Sequence, residues 1–174
     1  MVDITPYMQC INQVHPTMIQ RIINVESGNN PIAINVNKKA GIKPRYKQPR
    51  NKSEAVKLAR YYISNGYTVD LGYMQINSNN LQYYDVSIND MFDPCKNIKV
   101  GSTILLEAYQ RAKVKYQHPQ IALRHALSIY NTGNMYRGFK NGYVKKYTKN
   151  IRYQNKQVKQ SNPINIPVND LYKY

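Results

Sequence analysis

Four stretches of this chain repeat apolar side chains at three- and four-residue steps, and that period dictates a mainly helical protein. The first carries Met18, Ile19, Ile22, Ile23 and Val25 between His15-Pro16 and Ser27-Gly28. The second runs through Ala55, Val56, Leu58, Ala59, Tyr62 and Ile63, with Ser53 placed to cap its start and Gly66 to end it. Asp93-Pro94 opens a third, through Ile98, Val100, Ile104, Leu105, Ala108 and Tyr109, and His118-Pro119 a fourth, through Ile121, Leu123, Ala126, Leu127 and Tyr130. Two stretches break the helical period: Ile32 to Val36 reads as a short strand, and Tyr67 to Ile76 alternates as a strand does. Asn37 to Lys52, basic and punctuated by prolines, reads as a mobile loop. The expected fold class is mainly α, an α+β arrangement with one small β element.

With 174 residues and 42% hydrophobic content the chain can bury one core. The periodic apolar positions fade after Tyr153, so the expectation is one domain over residues 1–153 and an extended or disordered basic tail over 154–174. No apolar run is long enough to span a bilayer, and the first ten residues lack the basic start and apolar stretch of an export signal. An exported protein with this sequence would be read as the mature form with a start methionine. The net charge of +16 calls for a polyanionic partner or surface, but nucleic acid, acidic wall polymer and anionic lipid would all meet that condition.

Cys10 and Cys95 are too few and too far apart for a structural zinc site; one disulfide and two separate buried thiols both fit their spacing. His15 and His118 stand beside prolines and His125 within a helix, positions that suit packing or capping. No metal and no cofactor is expected.

Glu26 is the residue that points to chemistry. On a helix it shares the apolar stripe of Ile19, Ile22 and Ile23, and it falls at the C-terminal end, where the helix dipole disfavours an anion. Desolvation and dipole both favour the protonated acid, the form needed to protonate a glycosidic oxygen. The plain alternative is a frayed helix end with Glu26 turned to water. Gly72 permits close backbone approach to a ligand, alternation places the amides of Gln75 and Asn77 on one face as sugar hydrogen-bonding groups, and Tyr130 closes a helix before a Gly-bearing turn.

In this order, Glu26-Ser27-Gly28, Gly72-Tyr73-Met74-Gln75 and Tyr130-Asn131-Thr132-Gly133 resemble the signature of the lytic transglycosylases of the goose-type lysozyme-like superfamily, over about residues 10 to 150. Cys10 with His15-Pro16, the run Asn30 to Asn37, Gln75-Ile76-Asn77 and Phe92 to Asn97 resemble the specialised transglycosylases of type IV secretion systems. Tyr73, Ile129 and Thr132 depart from the commoner residues of those motifs. The resemblance implies a lysozyme-like fold, Glu26 as catalytic acid and base, a Cys10–Cys95 disulfide, and Asn35, Gly72, Tyr73, Met74, Gln75, Asn77, Tyr130, Asn131 and Tyr143 around the sugar.

It further implies cleavage of peptidoglycan glycan strands between N-acetylmuramic acid and N-acetylglucosamine with a 1,6-anhydro product, in the periplasm or otherwise outside the cytoplasm. Secretion-system components would dock on the basic tail. A hydrolytic lysozyme using Glu26 with Asp70 is the alternative enzyme, since Glu54 and Glu107 read as ordinary helix-surface residues; the other role for Asp70 is a turn or supporting hydrogen-bond acceptor. A basic nucleic-acid-binding module with tyrosine stacking platforms leaves the ordered motifs unexplained, so no nucleic acid partner is expected.

Overall fold

The computed structural model describes residues 2–148, so the expected domain end at residue 153 and the tail lie outside the described residues. The chain forms two compact units, one made of the segment up to Ile11 with Pro16–Gly101, the other of Asn12–His15 with the segment from Ser102 onward.

The first unit begins with a 3-10 helix, Thr5–Cys10, and then α1, Pro16–Ser27. Met18, Ile19, Ile22 and Ile23 are buried as the period requires, and Gly28 takes a positive φ of 60° just past the helix end. A three-stranded antiparallel sheet follows, β1 (Ile34–Val36), β2 (Val69–Leu71) and β3 (Ile76–Asn77), in that spatial order. Ile34 lies opposite Leu71, Val36 opposite Val69 and Leu71 opposite Ile76, so one face is an apolar, fully buried row. Asn35 lies opposite Asp70 and Asp70 opposite Asn77, so the other face is polar.

Between β1 and β2 runs α2, Lys52–Ser64. Its cap is Asn51 rather than Ser53: Asn51 has the extended backbone a cap needs, and its side-chain oxygen accepts from the Glu54 N–H at 2.9 Å, whereas Ser53 already lies in the first turn. The loop before α2, expected to be mobile, is tied to the sheet. The Tyr46 hydroxyl accepts from Val36 N–H at 2.9 Å and donates to the Ile34 carbonyl, and the Gln48 amide accepts from Ile34 N–H and donates to the same carbonyl at 2.7 Å. Two side chains thus do for the outer edge of β1 what a fourth strand would do.

Tyr67 to Ile76 is a hairpin and not one continuous strand. Gly72 and Gln75 adopt positive φ, 72° and 50°, and reverse the chain between β2 and β3. A Cβ on Gly72 would lie 2.2 Å from the Met91 carbonyl oxygen and 2.5 Å from the Asn97 amide nitrogen, so glycine is required twice over. The helix α3, Pro94–Lys115, starts where Asp93 accepts from Lys96 N–H, and contributes residues up to Gly101 to this unit. Cys95 in its first turn is bonded to Cys10, with 5.4 Å between Cα atoms, which settles the two readings of the cysteines in favour of a disulfide. A crosslink across 85 positions stabilises the fold by about 4–5 kcal/mol in the chain-entropy account.

The second unit holds the rest of α3, then α4 (Pro119–Thr132), α5 (Arg137–Lys140) and α6 (Tyr143–Thr148). Gly133 ends α4 with a left-handed φ of 68°. Ser128 Oγ accepts from Gly138 N–H at 2.8 Å and donates to the Asn134 carbonyl at 2.6 Å, drawing α5 onto α4. The His125 ring stacks on Tyr116 with centroids 4.0 Å apart and its Nδ1 donates to the Met135 carbonyl, while His118 begins α4 without a side-chain cap bond. Among the described residues no helix is long and apolar enough to cross a membrane, and no three His, Cys, Asp or Glu side chains gather as a metal site would need.

Candidate active site

Glu26 stands in the last turn of α1, one turn beyond the fully buried Ile22 and Ile23, and is itself half-buried. The helix stripe that buries those isoleucines runs on to Glu26, and the C-terminal end of a helix disfavours an anion. Ser27, the next residue, donates its hydroxyl to the Ile23 carbonyl at 2.9 Å and closes the helix end.

The same unit carries the polar face of the sheet, centred on Asp70. Its Oδ1 accepts from the Asn77 amide at 2.6 Å, and its Oδ2 from Asn35 at 2.9 Å and Asn37 at 3.1 Å. Asn35 also donates to the Asn37 side-chain oxygen, and its own oxygen accepts from Lys43 Nζ at 3.1 Å. Strand pairing explains the cluster: register puts Asn35 and Asn77 beside Asp70 on neighbouring strands, and the two-residue alternation puts Asn37 on the same face as Asn35. Asp70 is therefore a hydrogen-bond acceptor for three amides.

Gln75 does not share that face through strand alternation, because its positive φ places it in the turn. Its Nε2 donates to the Gly72 carbonyl at 2.9 Å and to the Ala33 carbonyl at 3.2 Å, and Gly72 N–H donates to the same Ala33 oxygen. Gln75 thus ties the hairpin turn to the entry of β1. Met74 is fully buried and its N–H donates to Asn97, while Tyr73 is buried with its ring edge-on to Tyr7. Burial, then the neighbouring Tyr7 phenol, pushes the Tyr73 hydroxyl above its ordinary pKa range, so it stays a neutral donor. The space that Gly72 leaves is occupied by Met91 and Asn97.

Tyr130, Asn131 and Tyr143 belong to the second unit. Tyr130 is half-buried near the end of α4 and Asn131 is exposed beside it. Asn141 links the last two: its amide donates to the Asn131 side-chain oxygen at 2.9 Å and its oxygen accepts from Tyr143 N–H at 3.0 Å. Tyr143 is buried, with its hydroxyl 2.8 Å from that of Tyr147.

Sequence reasoning missed Asn37 and Asn97. Asn37 was findable, because it follows Asn35 by one strand period. Asn97 is 1% exposed, accepts from Met74 N–H at 2.8 Å and donates to the Leu71 and Met91 carbonyls, both at 2.9 Å. No local signal marks Asn97 in the sequence, because Leu71, Met74 and Met91 reach it only through the fold.

The chain matches the family model described as Transglycosylase SLT domain over residues 5–153. It is 42% identical over 134 residues to the type IV secretion system protein virB1 of Brucella abortus (strain 2308), covering 76% of this chain and 54% of that protein. Over 138 residues it is 32% identical to protein virB1 of Rhizobium radiobacter, covering 79% of this chain and 56% of that one. The virB1 protein of Agrobacterium fabrum (strain C58) shares 30% identity over 138 residues, 79% of this chain and 54% of its own length. The chain spans about half the length of the curated relatives it matches. No solved structure matches it significantly.

Proposed function

Because the chain belongs to the transglycosylase SLT domain family, we propose that it is a peptidoglycan lytic transglycosylase cleaving the β-1,4 bond from N-acetylmuramic acid to N-acetylglucosamine, with Glu26 as both acid and base. The observation that carries this reading is the position of Glu26, a half-buried carboxyl at the C-terminal end of a helix, one turn past the buried Ile22 and Ile23.

In the proposed reaction Glu26 gives its proton to the bridging oxygen, the bond from muramic C1 to that oxygen breaks, and the glucosamine side leaves as an alcohol. Positive charge grows at C1, where the substrate's own acetamido oxygen can share it. The Glu26 carboxylate then takes the proton of the C6 hydroxyl as O6 bonds to C1, which leaves a 1,6-anhydro end and returns Glu26 to its starting state. No water is consumed and no second carboxylate is required. That accords with Asp70, whose two oxygens are already engaged by Asn35, Asn37 and Asn77.

Asn35, Gln75, Asn77, Tyr130, Asn131 and Tyr143 are proposed to contact the sugar. Gly72, Tyr73 and Met74 are proposed to contribute through the turn they build. The Brucella abortus relative is a type IV secretion system protein by name, so the proposed setting is the periplasmic side of the membrane, where the enzyme opens wall locally for such an apparatus. Its charge of +16 suits an anionic wall.

Clearing of purified cell wall is the test. Glu26→Gln should lose at least about a hundredfold in rate, the usual worth of general acid–base catalysis, and wild-type products should carry anhydro ends. Products one water heavier would identify a hydrolase, and full activity of Glu26→Gln would refute the assignment.

A further inference from the structure

We infer that Asp70 is a positioning residue for glycan recognition: its carboxylate fixes which end of the Asn35 and Asn77 amides is offered to the sugar. This inference rests on the glycan-cleaving reading above. An asparagine amide is nearly symmetric in shape, and a half-turn about its last bond exchanges a two-proton donor for an acceptor. Left alone on its half-buried strand face, the Asn35 amide would populate both orientations, and half the population would meet a ligand with the wrong end; Asn77 has a second constraint, the Asn79 N–H on its oxygen at 3.0 Å.

An anion between the amides removes that freedom. A carboxylate only accepts, so every amide that touches it must turn its NH2 inward. Asn77 does so at 2.6 Å, Asn35 at 2.9 Å and Asn37 at 3.1 Å. The acceptor oxygens are thereby directed away from Asp70. The Asn35 oxygen meets Lys43 Nζ, an exposed lysine whose place a ligand N–H or hydroxyl can take, and the Asn77 oxygen meets Asn79 N–H. The face so set recognises hydrogen-bond donors, which on a murein strand are the acetamido N–H and the sugar hydroxyls. The register that brings the three strands together places Asp70 in the middle, the one position from which a single carboxylate reaches Asn35 and Asn77 at once.

Asp70→Asn keeps the shape and removes the anion, and Asp70→Ser, small enough for the same strand site, is the second variant. Both are measured on soluble glycan strands freed of stem peptides, with side-chain amide proton and nitrogen resonances recorded in parallel. The expected result is a KM raised roughly tenfold, the worth of one to two hydrogen bonds, with kcat within about twofold, while the Asn35, Asn37 and Asn77 amide resonances lose the downfield shift of carboxylate-bonded NH2 groups. A fold-destabilising role alone would lower active enzyme and leave KM where it was. Unchanged KM in both folded variants, resonances that do not move, or a kcat collapse of about a thousandfold at constant KM would overturn the inference. The resonances report the network whether or not murein is cut, so a lost shift in a chain that cleaves no glycan refutes the function and leaves the network standing.

Discussion

Removing the Asn97 side chain should cost more than any other single truncation of a polar residue in the first unit. Asn97 lies 1% exposed beneath the hairpin turn and satisfies three backbone groups, the Met74 N–H at 2.8 Å and the Leu71 and Met91 carbonyls at 2.9 Å each. In Asn97→Ala all three lose their partner inside the core. Each orphaned group costs about 1–3 kcal/mol, and water entering the vacated space offsets part of the sum, so a loss of roughly 3–5 kcal/mol is expected. In urea unfolding the midpoint should fall with an unchanged slope, and the melting temperature should drop by roughly 10 °C.

Asn97→Asp sharpens the test. Its carboxylate would face two carbonyl oxygens in a buried site, so its folded pKa rises above the unfolded value of about 3.9. The protonated acid can still donate to one carbonyl, so stability is fullest below about pH 4 and is lost as pH climbs through the raised folded value. A loss under about 1 kcal/mol for Asn97→Ala, or equal stability of the two variants at every pH, would refute the claim that these three bonds hold the turn.

Two further outcomes follow from the same structure. Gly72→Ala should destabilise by more than about 3 kcal/mol, because its Cβ would sit 2.2 Å from the Met91 carbonyl at a positive φ. Gly133→Ala, at φ 68° with nothing within 4 Å, should cost only about 1 kcal/mol; thermal melts of the pair separate contact from backbone strain. The Asp90 carboxyl is held well below its ordinary range by hydrogen bonds first from Lys96 and then from Ser87. Its contribution is present above the unfolded pKa of about 3.9 and is lost as pH falls through the folded value. Asp90→Asn should therefore be weaker than wild type by up to about 1 kcal/mol near neutrality, with the gap closing in acid and shrinking in salt, as urea midpoints across pH would show.

Helix placement was legible because each helix is announced locally. Pro16, Pro94 and Pro119 begin α1, α3 and α4, Gly28 and Gly133 follow α1 and α4, and the period selects the buried Met18, Ile19, Ile22 and Ile23 of α1 and the buried Leu123, Ala126 and Leu127 of α4, although Ile121 of the same periodic set is exposed. The order of Glu26, the Gly72–Gln75 turn and Tyr130-Asn131 was equally readable, since it is a property of the string. The cap at Asn51 was misassigned by two positions, as helix ends are set by which side chain actually reaches an exposed N–H.

What the string could not convey is anything that depends on residues meeting across distance. Alternation suggested one strand from Tyr67 to Ile76; the reversal there depends on Gly72 fitting under Met91 and Asn97, residues that approach only after α3 packs. The loop before α2 carries the composition of a mobile segment, yet Tyr46 and Gln48 find unpaired backbone groups on β1 and bind them. Asp70 reads in the sequence as a lone carboxylate, and only strand register reveals the three amides that surround it. Periodicity and turn chemistry are local energies and survive in sequence; pairing and the satisfaction of buried polar groups are tertiary ones, and they exist only once the fold brings their partners together.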